Sequence, residues 1–309
     1  MSVLLIFIDG LGIGKRGESN PLAMLSSEVV APLAVFQDEQ VEIINEGVLI
    51  RTNATLGIEG RPQSASGQTT ILTGVNVPQT LGYHKQGFPN AAMREIIAEH
   101  SIFLQLEDLG IEPNVFANAY TPQFFESEPR WKSATTCAVE ASNVRFKTLD
   151  DLRENNALFH DFTNSILRGE RSELLPEAVK KIMRSFDVEP RTPEFAGEIL
   201  ANIASKHSFT LYEYFITDKI GHLQSHELAN EIVPQLAAFV RSVFANVDLN
   251  ETTVFITSDH GNIEDLSIKT HTLNEVPTIV WGKHKNIFAE SVKSLADITP
   301  TIVKVLQEI

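Results

Sequence analysis

The chain of 309 residues carries one cysteine, Cys137. A lone cysteine excludes an internal disulfide framework and points to a reducing compartment. Its expected place is a small apolar position in the core. Positive charge is also scarce, since 25 Lys and Arg stand against 40 Asp and Glu, a net charge of −15. No basic cluster breaks that balance, which excludes a nucleic-acid binder. Long hydrophobic runs are missing too. None approaches the ~18 residues of a membrane span. The apolar run Val3–Ile8 is ended by Asp9 with no basic segment before it, so it does not read as a signal peptide. These absences set the expectation of a cytoplasmic protein with no nucleic-acid or membrane partner.

What is present is the composition of a globular chain, 43 % hydrophobic and 21 % charged. The length suits one large α/β domain or a large domain carrying a smaller one. Short runs rich in β-branched and aromatic residues recur at Val3–Ile8, Val41–Ile44 with Val48–Ile50, Asn114–Ala117, Thr210–Ile216, Thr252–Ile256 and Thr278–Trp281. Continuous apolar runs of this length suit strands buried on both faces of a parallel sheet. Helical stretches alternate with them at Ala91–Glu99, Pro193–Lys206 (capped by Thr192), His226–Phe244 and Leu295–Leu306. The alternation predicts a three-layer α/β/α sandwich with a mostly parallel sheet. Between about residues 121 and 194 the chain turns more polar and its periodicity mainly helical, as expected of a small cap inserted into a core of residues 1–120 and 195–309.

Gly12, Gly14 and Gly17 formally match a dinucleotide-binding G-x-G-x-x-G. That motif needs a helix starting inside the glycines. Here the chain runs on through Glu18-Ser19-Asn20-Pro21 as a loop, and Asp9 at the strand tip would repel a pyrophosphate. Asp9 is the better candidate, because α/β enzymes place site residues at the carboxyl ends of strands. Asp218 and Asp259 recur at the ends of two further predicted strands. Three carboxylates converging on one sheet edge repel one another unless a cation sits among them. Histidines complete the pattern: His222 four residues after Asp218 and on the same helical face, His260 directly after Asp259, and His271 just before the last strand. Mixed Asp and His ligation suits Zn²⁺ or Mn²⁺ better than Ca²⁺ or Mg²⁺. Any single strand-end aspartate is more often a cap; the joint occurrence carries the reading. The hydroxyl-rich stretch from Gly60 to Gly74 opens a helix, and a serine at such a position beside cations can attack phosphorus. The same stretch also reads as a helix cap followed by close packing.

Taken in order, "FIDGLGIG", "SASGQTTILTG", "TDKIGH", "ITSDHGN" and "THTLNEVP" resemble the alkaline phosphatase superfamily of metalloenzymes, nearest its branch of cofactor-independent phosphoglycerate mutase and phosphopentomutase. The resemblance covers both core halves and implies a two-metal centre, Mn²⁺ or Zn²⁺, with a Ser or Thr nucleophile. Carried over by motif, Asp9, Asp259 and His260 resemble the ligands of one metal, and Asp218, His222 and His271 those of the other. Ser64 matches the nucleophile and doubles as a ligand. Ser66 and Thr69 are the competing hydroxyls, and Gln68 stands where the mutases more often have His.

The mechanism so implied is an in-line displacement through a phosphoserine, with a small phosphorylated molecule as substrate. Water as acceptor makes a phosphatase, and a second hydroxyl makes a mutase. The short cap favours the hydrolase; a phosphomutase and an inactive binding protein that keeps the fold are the alternatives. A sulfatase is disfavoured further, because neither Cys137 nor Ser64 stands in a C/S-x-P-x-R context. Arg130, Lys132, Arg145 and Arg153 in the insertion, and His84 and Lys85 after the nucleophile helix, read as solvated surface groups rather than substrate contacts. Neither the natural substrate nor the oligomeric state follows from the sequence.

Overall fold

The computed structural model describes residues 1–308 apart from 39–42, 128–130, 176–179 and 181–184. The expected strand at Val41 and the candidate contact Arg130 therefore lie outside the described residues. Six strands form the main sheet: β1 (Ser2–Ile8), β2 (Val48–Thr52), β3 (Asn114–Phe116), β6 (Phe209–Tyr214), β7 (Thr252–Thr257) and β8 (Val276–Trp281). A small parallel pair, β4 (Ala119–Tyr120) and β5 (Lys147–Thr148), stands apart. The main order is β2-β8-β7-β1-β6-β3. β1 is parallel to both β6 and β7, and β3 to β6, while β8 runs against both of its neighbours. Hence β8 alone opposes the other five.

Every residue of β1, β6, β7 and β8 is buried, as their unbroken apolar runs require of strands covered on both faces. Side-chain alternation along β1 sends Leu4, Ile6 and Ile8 into one apolar layer with Tyr212, Val254 and Phe239. Val3, Leu5 and Phe7 enter the opposite layer with Leu211, Phe255 and Ile302. The helices Pro193–Ala204 and His226–Asn246 cover the first face, and Ser64–Thr73, Ile102–Asp108 and Ile298–Gln307 the second. Thr192 caps the 193–204 helix as expected, accepting from Phe195 N at 3.2 Å.

Some boundaries differ from the sequence reading. β6 ends at Tyr214, and Asp218 lies in the first turn of the helix Ile216–Leu223 rather than at a strand tip. Ile44 begins a 3₁₀ turn, not a strand. The last helix is a 3₁₀ turn at Leu295–Asp297 followed by Ile298–Gln307. Cys137 is half-buried against the second apolar layer, and burial pushes its thiol up.

Residues 121–194 supply the short helices Pro122–Ser127, Ala134–Glu140 and Leu149–Arg153. Their apolar residues pack into the same two layers rather than closing a core of their own. Leu149, Leu152 and Phe162 join the first layer, and Ala134, Ala138 and Val139 the second. Phe162 lies flat on Phe239, with ring centroids 4.5 Å apart. No described helix is long and apolar enough to cross a membrane.

Candidate active site

Sheet topology brings the candidates together. β1 and β7 are parallel, so Asp9 and Asp259 leave the sheet at the same edge. The helix carrying Asp218 and His222 follows β6 there. β8 is antiparallel, so His271, which precedes it, arrives at that edge too. Gly10 holds φ at +75°, and a Cβ there would stand 2.7 Å from Asp218 Cα, so the turn after Asp9 closes on Asp218 only as glycine.

The resulting cluster is tight. His260 Nε2 lies 3.3 Å from Asp9 Oδ1, 3.5 Å from Asp259 Oδ2 and 3.0 Å from Ser64 Oγ. His271 Nε2 lies 3.5 Å from Asp218 Oδ1 and 3.3 Å from His222 Nε2. Asp218 and His222 meet one helical turn apart at 3.3 Å, as their spacing predicts. Ligand atoms within 4.8 Å of one another form two groups, Asp9–Asp259–His260 and Asp218–His260–His271. The first matches the set drawn from the motifs. In the second His260 stands closer in than His222, which sits at the rim beside both Asp218 and His271.

Histidine tautomers follow from second partners. His271 Nδ1 donates to Pro62 O at 2.8 Å, and His222 Nδ1 donates to Lys269 O at 3.1 Å. His271, held this way, turns its Nε2 lone pair toward Asp218, whereas the hydrogen bond with Asp218 raises His222 toward its charged form. Burial pushes both His260 and His271 down to about 4, so they are neutral at pH 7. Burial and the charge of Asp218 push Asp259 up to about 7, and burial with Asp259 beside it raises Asp9 as well. Asp9 Oδ1 is buried with no hydrogen-bond donor. Crowded buried carboxylates beside the neutral His260 and His271 repel without further positive charge among them, and a divalent cation fits this donor set.

The helix Ser64–Thr73 settles where its hydroxyls go. Thr69, Thr70 and Thr73 donate to the carbonyls four residues back, at 2.7, 2.8 and 2.7 Å. Ser66 Oγ donates to Gln63 O and accepts from Lys85 N, both at 3.1 Å. Of the competing hydroxyls only Ser64, at the first helical position, faces the cluster. Gln68, one turn on, donates from Nε2 to Asp9 Oδ2 and Asp259 Oδ2, each at 3.1 Å, and so ties two carboxylates together. The surface cations are engaged elsewhere: Lys132 with Glu140, Arg145 with Asp151, Arg153 with Asp150 and Lys85 with Gln86 O.

Three residues escape sequence reasoning. Glu264 is buried and accepts from Gly12 N, Asn262 N, Thr272 Oγ1 and Asn274 Nδ2 at 2.5–3.0 Å. A Cβ on Gly12, Gly14 or Gly261 would collide with it, which explains the glycine run without a nucleotide. Asn262 Nδ2 donates to Asp218 Oδ1 at 2.7 Å and fixes that carboxylate. Glu213 in β6 is buried and pushed up to about 7 by burial and by Asp259. A lone Glu inside an apolar strand was its one visible signal.

A mostly parallel sheet whose carboxyl edge gathers buried aspartates, three histidines and a helix-start serine defines an α/β protein of the metal-centre class. The family model of the Metalloenzyme superfamily matches residues 1–308, and the chain belongs to that superfamily. The 2,3-bisphosphoglycerate-independent phosphoglycerate mutase of Mycoplasmoides gallisepticum is 26 % identical over 147 residues, 45 % of this chain and 29 % of that protein. The match therefore spans less than a third of the relative's length. The alkaline phosphatase of the Antarctic bacterium TAB5 shares the fold, with a TM-score of 0.51, 15 % identity and coverage of 99 % of this chain and 97 % of that one. A protein from Pyrococcus horikoshii does so with a TM-score of 0.54, 14 % identity and coverage of 100 % and 97 %. The resemblance read from the five motifs thus holds for superfamily and fold.

Proposed function

We propose that the protein is a two-metal phosphoric-ester hydrolase acting on a small phosphorylated molecule through Ser64. The observation that carries this reading is Ser64 Oγ, 3.0 Å from His260 Nε2, at the lip of a buried, charge-crowded carboxylate–imidazole cluster. Asp9, Asp259, His260 and Ser64 would hold one cation, and Asp218, His222 and His271 the other. Bound Mn²⁺ or Zn²⁺ would offset the carboxylates, polarise the phosphoryl oxygens and favour the ionised serine. Ser64 Oγ then forms its bond to phosphorus in line with the ester oxygen, which leaves with the bonding electron pair. Water splits the phosphoserine, restoring Ser64 and releasing phosphate. Asp9, Gln68 and Asp259 form a braced wall that holds this geometry.

Solvent access supports water as the acceptor. Ser64 is only part-buried, and the side chain of His222 is 43 % exposed. A phosphomutase is the second reading, supported by the mutases among the relatives. A complete set of ligands and a nucleophile weighs against an inactive binding protein. The lone cysteine keeps the cytoplasm as the proposed location.

The decisive experiment is a phosphomonoester panel with free phosphate as the readout. The metal-loaded protein should release phosphate, chelation should abolish release, and Ser64→Ala should lower kcat by on the order of 10³-fold or more while metal content stays intact. Isomerised substrate without free phosphate would establish the mutase instead. Near-normal turnover in Ser64→Ala would remove Ser64 from its role.

A further inference from the structure

The cleft beside the cluster has a volume of about 630 Å³ and two unlike sides. One side is Asp9, Ser64, Asp218 and His222. The other is aromatic: Phe88, Tyr120, Phe124, Trp131, His160 and Phe215. Phe88 and Trp131 lie near-parallel, with centroids 6.4 Å apart at 26°, yet they are 47 % and 55 % exposed. Behind them the wall is fixed. Tyr120 packs on Phe124 at 4.3 Å and on Phe146 at 4.9 Å, and its hydroxyl is hydrogen-bonded to Thr136 Oγ1 at 2.8 Å.

Positive charge is sparse on that wall. Among the described lining residues the ammonium groups are Lys132 and Lys219. Lys132 is held by Glu140 at 2.6 Å, and Lys219 directly follows Asp218, at the phosphate end. Among the described residues, a substrate bearing a second anion, such as a phosphorylated acid, would meet on the aromatic side only Lys132, already paired with Glu140. His160 is the imidazole on that side. Asn118 Oδ1 accepts from Glu213 N at 2.9 Å, which orients its Nδ2 to donate to Glu213 O at 2.8 Å and His160 Nδ1 at 3.0 Å. With Nδ1 accepting, the proton of His160 is on Nε2. The ring that carries it lines the cleft. Burial pushes His160 down to about 4, so the ring stays neutral at pH 7.

We propose that this wall is a leaving-group subsite for a flat, uncharged aromatic group, stacked on Phe88 and Trp131 and hydrogen-bonded by His160 Nε2–H. This rests on the hydrolase reading and narrows its substrates to phosphate esters of aromatic-bearing alcohols. Stacking on an aromatic side chain tightens binding by roughly 5- to 150-fold per base. Simple aryl-alkyl esters and nucleoside monophosphates share the required chemistry, and the experiment separates them.

The test compares ligands with the same primary-alcohol phosphate: adenosine 5′-monophosphate against ribose 5-phosphate, and 2-phenylethyl phosphate against ethyl phosphate. Binding to the full chain is measured by titration calorimetry, and phosphate release is followed separately. Adenosine 5′-monophosphate should bind at least tenfold tighter than ribose 5-phosphate and quench tryptophan fluorescence. Quenching reports Trp131, because Trp281 is fully buried. Phe88→Ala and Trp131→Ala should shrink the binding ratio toward one. His160→Phe should shrink it in part while keeping a ring in place. A matching gain for 2-phenylethyl phosphate marks a general aromatic subsite, and a gain confined to the nucleotide marks a nucleobase subsite; both support the proposal. Equal affinities within both pairs overturn it, even if phosphate is released. Tight aromatic binding without phosphate release would keep the subsite and remove the hydrolase reading.

Discussion

Glu264 is the side chain on which three loops of the site meet. One carboxylate receives donors from the loop after β1, the loop after β7 and the loop before β8, and it does so without solvent. Burial pushes it up, while Thr272, Asn274 and the backbone of Gly12 pull it back toward the ionised form that accepts them best. Removing such an acceptor strands buried N–H and O–H groups. Glu264→Ala should therefore cost about 2–4 kcal/mol of stability in chemical denaturation. A loss below half a kcal/mol would show that the loops hold their positions without it. Glu264 sits five residues after Asp259 in a polar loop, and nothing local distinguishes it from a solvated glutamate. Its role exists only because Gly12, Gly14 and Gly261 leave room for it, and the contacts with Gly12 and Gly14 join residues some 250 positions apart.

Elements place the chemistry, and their ends matter most. The helix Ser64–Thr73 is buried along nearly its whole length because its threonines satisfy their own hydroxyls against the preceding turn. That leaves its first residue as the part-buried hydroxyl facing the cluster. At the helix Leu149–Arg153 the same principle serves stability. Thr148 and Asp151 form a capping box, and Arg145 grips Asp151. The hydrogen bond from Arg145 holds the Asp151 carboxyl well below the usual carboxylate range against the opposing pull of burial. A carboxylate depressed in the folded state stabilises above its unfolded pKa, and that stabilisation fades as pH falls through the folded value. Asp151→Asn should thus cost about 1–2 kcal/mol at pH 7, with the gap to wild type shrinking below about pH 4. A gap that persists unchanged at the acid end would assign the loss to packing.

At the scale of the whole molecule, five loops or helix starts converge because β8 runs against the other five strands and so delivers His271 to the edge where the parallel strands end. Ligands drawn from both ends of the chain make cation binding a property of the fold as a whole. A cation that binds the folded chain but not the unfolded one stabilises by about 2.7 kcal/mol at a hundredfold excess over Kd. Saturating Mn²⁺ or Zn²⁺ should raise Tm by roughly 5 °C over the chelated protein, and Asp259→Asn should remove most of that rise. An unchanged melt with and without metal would refute the metal centre. Much of this was written locally. Apolar runs foretold the buried strands, Asp218 and His222 announced their shared helical face, and the hydroxyl-rich stretch marked the helix that opens at Ser64. Such features depend on near neighbours in the chain, where period, spacing and capping act directly. Only the tertiary structure decided that His260 stands between both halves of the cluster, that Gln68 braces Asp9 against Asp259, and that Asn118 sets the proton of His160. Each of these is a contact across the sheet edge, fixed by strand order and burial rather than by any local pattern of residues.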